Sequence, residues 1–252
     1  MNIVLNEKKR ALDIIKNGNL GLEKGRNRIL LVKYYNSIGM TKDLIRKTLE
    51  EFLVKYDKEI NVDESGTADY IDSIVKRYSS DKYPLKKTVI NISQNELNKI
   101  KEINNKNLES LLFIMMIYAK SNNSTWANMK IKDLFKYAKI KQTMGVQDNM
   151  LHKLFIKGYF KLSNKCDKLG LNLKFLDKDC NNNPIIVIED DLKEALLHYK
   201  KWKGAKIIKC EECGIMVEVH KNHTKKVYCN KCGKIKNKEK YKKYNTKRDF
   251  TT

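Results

Sequence analysis

Four cysteines near the C-terminal end constrain this chain more than any other feature. They fall in two pairs, Cys210-Glu-Glu-Cys213 and Cys229-Asn-Lys-Cys232, with fifteen residues between them. A two-residue spacer lets a tight turn aim both sulfurs at one point. Gly214 and Gly233 follow the pairs, where such turns need a permissive backbone. Four thiolates converging on one point match the tetrahedral, sulfur-rich coordination that zinc prefers. The expectation is one Zn²⁺ per chain, held by Cys210, Cys213, Cys229 and Cys232. Lys209 and Val217 to Val219 around the first pair, and Val227-Tyr228 before the second, read as strand residues. Two knuckles on short strands make a zinc ribbon. A segment this small cannot fold through its own core, so the metal would supply folding energy.

Other uses of these cysteines fit less well. Disulfides suit an oxidising compartment, whereas this chain reads as cytoplasmic. A redox Cys-x-x-Cys comes as one pair near a βαβ pattern. His220 and His223 lie between the pairs and leave mixed ligation open as an alternative. Fifteen residues are too few for the strand–strand–helix core of an HNH-type nuclease, and His220-Lys-Asn-His223 lacks an adjacent acid. Cys166 and Cys180 have no ligand-like neighbours and read as free thiols.

Charge points to the same end of the chain. There are 52 Lys+Arg against 30 Asp+Glu, a formal net charge of +22. A Lys-rich composition alone is also what genome bias and a solvated surface produce. The excess is unevenly placed, however: residues 1–85 net +3, residues 86–199 net +7, and residues 200–252 net +12. A concentrated positive charge calls for a polyanion. Past Cys232 the lysines interleave with Tyr241 and Tyr244 as a basic helix or arm, suited to phosphate contact and base stacking. At 41% hydrophobic with only 11 Gly and 2 Pro, the chain is neither disordered nor collagen-like. The longest apolar run, Leu111–Ala119, has nine residues, against about 20 for a bilayer span. Met1 to Arg10 offers no signal-peptide core. A cytoplasmic protein with no membrane partner is expected.

The coarse architecture is mainly α with small β elements, in three parts: 1–85 helical, 86–199 winged-helix-like, and 200–252 ribbon plus basic tail. In the first part, Lys8 to Lys16 stops at Gly18 and Arg26 to Ile38 stops at Gly39. Thr41 is an N-cap, Leu44, Ile45, Leu49, Phe52, Leu53 and Tyr56 form a stripe at helical spacing, and Tyr70 to Tyr78 forms another. The short Gly39–Thr41 turn is also helix-turn-helix spacing; with a net charge of only +3, packing is the favoured reading. Gly25-Arg26-Asn27, Ile38 to Thr41, Leu44 to Phe52 and Ile71 to Tyr78 together resemble the small helical domain that follows primase cores in phage and plasmid replication proteins. No polymerase core precedes it here, so the resemblance implies a mobile-element replication context and no primase activity.

In the middle part, Thr88 to Ile92 suggests a strand and Ser93 with Glu96 a capping box. A helix over Leu108–Ala119, a strand at Met129–Ile131 and a helix marked by Leu134, Phe135 and Ala138 come next. A third helix carries Val146, Met150, Leu151, Leu154 and Phe155, and Gly158 closes it. Tyr159–Leu162 and Leu171–Leu176 read as a hairpin, with another strand at Ile185–Ile188. This order, with Leu151, Leu154, Gly158 and Tyr159 at the corner, resembles the winged-helix domains of phage replication and transcription regulators over 106–190. The resemblance implies a third helix in the major groove, presenting Lys141, Gln142, Thr143, Gln147, Asp148 and Asn149 to bases. Its wing would offer Lys161, Lys165 and Lys168 to phosphates. Winged helices also serve as protein-interaction modules. Residues 206–248 resemble the zinc-ribbon tails of phage and mobile-element proteins. On that likeness and the local charge, Lys225, Lys226, Lys234, Lys236, Lys238, Lys240, Tyr241, Lys242, Lys243, Tyr244, Lys247 and Arg248 are expected to touch nucleic acid.

No catalytic residues are expected. The chain has no Gly-x-x-x-x-Gly-Lys loop, no His-Glu-x-x-His and no Gly-x-Ser-x-Gly. Glu189-Asp190-Asp191 reads as the acidic start of a helix. Two readings emerge: a zinc-containing nucleic-acid-binding protein, DNA favoured over RNA, in replication or transcriptional regulation of a phage or mobile element; and an adaptor for a replication or host protein, including anti-defence roles, whose ribbon is structural only.

Overall fold

The computed structural model describes residues 4–21, 23–57, 64–163, 170–177, 183–189, 192–219 and 227–248; in the last helix the side chains are described as far as Tyr241. The chain is mainly helical, with a few small antiparallel sheets. It divides into two compact units, Met1–Ile90 with Glu189–Leu192, and Asn91–Ile188 with Lys193–Thr252.

The first unit holds α1 (Glu7–Asn17), α2 (Lys24–Ser37), α3 (Lys42–Tyr56) and α4 (Ser65–Tyr78). Their starts and stops follow from single residues. The Asn6 side chain accepts from the Lys9 N–H at 3.0 Å to begin α1. Gly18 ends it at φ 59°, and the Tyr56 ring occupies the place a Cβ would take, so glycine is required there. Thr41 Oγ1 caps α3, and Gly39 turns the chain at φ 83°. Ala11, Ile14, Leu31, Val32, Ile45, Leu49, Leu53 and Ile71 fill the core. The stripe on α3 is narrower than its sequence suggests. Leu44 is 48% exposed, because at 100° per residue it falls well off the Ile45–Leu49–Phe52–Leu53 line; Tyr56 is in line with it but, as the last residue of α3, lays its ring over Gly18 and stays 42% exposed.

One charged cluster ties this unit together. Asp57, buried at the end of α3, accepts from Lys24 Nζ at 2.8 Å and Arg28 Nη2 at 2.7 Å, both on α2. Burial pushes its carboxyl pKa up, but the two cations outweigh that and hold it below the usual range. In the Gly25-Arg26-Asn27 run, Asn27 is buried and donates to the Leu20 carbonyl. Arg26 stays outside, 3.7 Å from Glu23.

The second unit begins from the end of β1 (Ile90–Ile92) and α5 (Gln94–Lys101). Ser93 and Glu96 form the expected capping box. The Glu96 carboxylate does more than cap. It is wholly buried, accepts from Lys120 Nζ at 2.7 Å and from the Asp177 N–H at 2.9 Å, and so joins three chain segments. α6 (Lys106–Ser121) is the central helix, buried at every position from Leu108 to Ala119.

Around α6 lie β2 (Trp126–Ala127), α7 (Ile131–Tyr137), α8 (Met144–Ile156), β3 (Phe160–Leu162) and β4 (Leu171–Leu173). Strands β2, β4 and β3 form one antiparallel sheet in that order, with Trp126 opposite Asn172 and Phe160 opposite Leu173. The first strand therefore sits before Met129–Ile131, where the sequence suggested it. Pairing with β4 fixes its place: the Leu173 N–H donates to the Thr125 carbonyl, while Ile131 already opens α7. β5 (Ile186–Ile188) joins β1 instead of this sheet. On α8, Met150, Leu151 and Leu154 are buried, but Val146 and Phe155 are exposed, as are Met144 and Ile156.

α9 (Leu192–Trp202) follows, running through the boundary expected between residues 199 and 200. β6 (Ile207–Lys209) and β7 (Met216–Glu218) make an antiparallel hairpin, and α10 (Asn230–Arg248) is the last described element. Among the described residues, no helix is long and apolar enough to cross a membrane.

Candidate metal centre and basic helix

The turn between β6 and β7 carries Cys210 and Cys213; the entry to α10 carries Cys229 and Cys232. All four Sγ atoms lie within 4.8 Å of one another. Cys213 Sγ and Cys229 Sγ are 3.8 Å apart. A tetrahedron with metal–sulfur bonds of about 2.3 Å has edges of about 3.8 Å, so this spacing suits four thiolates on one ion. Three of the cysteines are buried, with Val217 and Tyr228 packed against them. The four cysteines could thus hold a metal ion. Gly214, at φ 69°, turns the chain after the first pair and donates its N–H to the Cys210 carbonyl at 2.8 Å.

The proton energetics fit the same use. Burial works against ionising Cys210, but N–H groups of Cys229, Cys213 and Glu212 aimed at its sulfur lower its pKa to about 6. Cys229 is lowered too, first by the Cys232 N–H. Cys213 is raised by burial, and Cys232 is pushed up to about 12 by its contact with Cys229. Two thiols are shifted towards ionisation and two away from it. A divalent cation would hold all four as thiolates.

The two pairs do not sit on matching hairpins. The first has the hairpin expected of a ribbon; the second opens a helix. Cys229 takes the N-cap position of α10, its Sγ accepting from the Cys232 N–H at 3.3 Å, as a serine or threonine oxygen would. The sequence after Cys232 explains the choice: lysines and glutamate favour helix, and the run lacks the β-branched alternation a strand needs.

α10 has nineteen residues, of which nine are Lys or Arg and one, Glu239, is acidic. Lys234, Lys238, Lys240 and Tyr241 are exposed, as expected for contact residues, and Tyr241 is 71% exposed. Lys236 is instead paired with Glu212, 3.0 Å away in the Cys210–Cys213 turn. Lys242, Lys243, Tyr244, Lys247 and Arg248 lie on the same helix. Lys165, Lys168, Cys166, Cys180, His220, His223, Lys225, Lys226, Asp190 and Asp191 lie outside the described residues.

In the middle of the chain, Lys141, Gln142 and Thr143 precede α8, and Asp148 and Asn149 sit in its first half; all five are exposed. Gln147 is half-buried and donates to the Gln142 carbonyl at 2.8 Å. Lys161 is exposed on β3. Sequence reasoning missed a buried link behind the metal hairpin. Glu109 on α6 accepts from Tyr199 on α9 and from Lys203 just past its end, and Lys200 of α9 pairs with Glu218 of β7. The Lys and Glu lie 94 residues apart in the first case, so no local pattern reveals them.

Comparison with family models, curated proteins and solved structures finds no match to this chain.

Proposed function

We propose that this chain is a zinc-containing nucleic-acid-binding protein, DNA favoured over RNA, that serves replication or transcriptional regulation of a phage or other mobile element in a reducing, cytoplasmic setting. The reading assigns it no catalytic step. The observation that carries it is a four-cysteine cluster placed at the start of a nineteen-residue helix with nine cationic residues. A helix carrying so much like charge calls for a polyanion. Cys210, Cys213, Cys229 and Cys232 would hold the zinc, which supplies a rigid anchor for the hairpin and the helix. The order α6, β2, α7, α8, β3, β4, with β4 between β2 and β3, supports a winged-helix-like reading of the middle part.

The test is binding of full-length protein to duplex DNA, single-stranded DNA and RNA across a salt series. Affinity should fall linearly on a log–log plot, with a slope of about −0.9 per duplex phosphate contacted. No binding to any probe at low salt would refute the reading. Metal analysis should give one zinc per chain, lowered in Cys210→Ser.

An adaptor role for the middle part is favoured by one observation: α8 exposes Met144, Val146, Phe155 and Ile156. If these side chains serve a protein partner, Ile156→Glu should leave nucleic-acid affinity unchanged.

A further inference from the structure

The four clustered cysteines are not equally open to solvent. Cys210, Cys229 and Cys232 are buried and form a small cluster against Val217 and Tyr228. Cys213 is exposed. The turn explains the difference. Cys213 stands at its tip between β6 and β7, where Glu211, Glu212, Gly214 and Ile215 are exposed as well.

Sulfur chemistry turns that asymmetry into a direction of attack. A thiol that coordinates a divalent cation is held as thiolate. A reachable thiolate is the sulfur that peroxides and other small electrophiles meet first, and buried sulfurs are shielded from them. Cys213 also has a partner in place. Cys229 Sγ lies 3.8 Å away, across the two pairs, so a sulfenic acid formed at Cys213 has a second sulfur beside it to complete a disulfide. Cys229 is at the same time the N-cap of α10, its Sγ accepting from the Cys232 N–H. Oxidation that enters at Cys213 therefore ends on the residue that starts the charged helix.

We infer that Cys213 is a site of oxidative modification, and that a peroxide acting there releases both the metal and the start of α10. The Cys213 thiolate attacks one peroxide oxygen; the O–O bond breaks, an S–O bond forms and hydroxide leaves. The Cys229 thiolate then attacks the Cys213 sulfur; the S–O bond breaks, an S–S bond forms and a second hydroxide leaves. Two thiolates lose two electrons to become one disulfide, and one peroxide is reduced to two hydroxides, which take protons from the solvent. A metal ion held by four thiolates is left with two. In a reducing compartment such a disulfide is transient, and a thiol reductant with fresh zinc restores the site. The inference rests on the zinc reading of this site and goes beyond it; it does not depend on what α10 binds.

The test uses full-length, zinc-loaded protein and hydrogen peroxide, with a metal-sensitive dye reporting release. Remaining thiols are then blocked and the cysteine peptides mapped by mass. Among the four clustered cysteines, Cys213 should be modified first, the product should be a Cys213–Cys229 disulfide, and zinc should leave in step with it. The helical signal of α10 in far-UV circular dichroism should fall with the zinc. Limiting N-ethylmaleimide should label Cys213 before the other three. Cys213→His keeps a zinc ligand but no thiol; peroxide-driven release should be slower there than in Cys232→His, which loses a buried sulfur instead. Mapping of the unsubstituted chain decides the question if either variant fails to load. A first modification at Cys210, Cys229 or Cys232, a disulfide that leaves out Cys229, or equal release from the two variants overturns the assignment and leaves the zinc reading standing. So does zinc that stays bound after Cys213 is oxidised, or zinc release with no loss of helical signal. Protein that takes up no zinc at the outset overturns both.

Discussion

Removing the metal should unfold α10, and the size of the effect can be worked from its residues. Starting an isolated helix costs about 4 kcal/mol, because several dihedrals are fixed for one hydrogen bond. In α10 the first turn is set by the cysteines: the Cys232 N–H donates to Cys229 Sγ and the Gly233 N–H to the Cys229 carbonyl. Lysines at 234 and 238, 236 and 240, 238 and 242, and 243 and 247 repel at i,i+4 spacing, each pair costing about 0.2–0.5 kcal/mol. Gly233 costs about 1 kcal/mol more than alanine would. Glu239, i,i+4 before Lys243, offsets only about one such pair, whereas a structural zinc brings about 10–16 kcal/mol. Chelation should therefore remove from the far-UV circular dichroism a signal worth the nineteen residues of α10, leaving the other helices in place. Part of that signal should return in about 1 M salt, where the Debye length falls to about 3 Å and the lysines no longer repel. Unchanged ellipticity in metal-free protein would refute the reasoning, as would a loss insensitive to salt.

Two further outcomes are expected. Lys120→Met leaves the wholly buried Glu96 carboxylate without its cation and should destabilise the second unit by about 3–5 kcal/mol in denaturant unfolding. Adding Glu96→Gln should restore part of that loss, and additive effects would contradict the pairing. Asp57 has a folded pKa below its unfolded value near 3.9. Its contribution is fully present above that value and is lost as pH falls through the folded one. Asp57→Asn should cost about 1.5–3 kcal/mol at neutral pH, and should flatten the pH dependence of unfolding below about pH 4.

The chain announced some of this structure and concealed the rest. Features set by neighbours a few residues apart were legible: the Gly18 and Gly158 stops, the Thr41 cap, the Ser93–Glu96 box and the spacing that clusters four sulfurs. Features set by distant partners were not. β5 could pair with any free edge, and only the fold selects β1. Trp126–Ala127 is a strand because β4 lies beside it. Glu96, Glu109 and Asp57 look like ordinary surface acids until Lys120, Lys203 and Arg28 arrive from elsewhere in the chain. The helical placement of the second cysteine pair turned on local propensity outweighing a ribbon-like expectation from spacing.

The link through Lys200, Glu218, Lys203 and Glu109 has a practical consequence for anyone wishing to transplant the C-terminal cassette. A cut just before the metal hairpin, at Trp202, would sever α9 from β7 and strand the buried Glu109 carboxylate behind it. The smallest graft that carries its own support begins at Leu192, and the host scaffold must supply an acid where Glu109 stood.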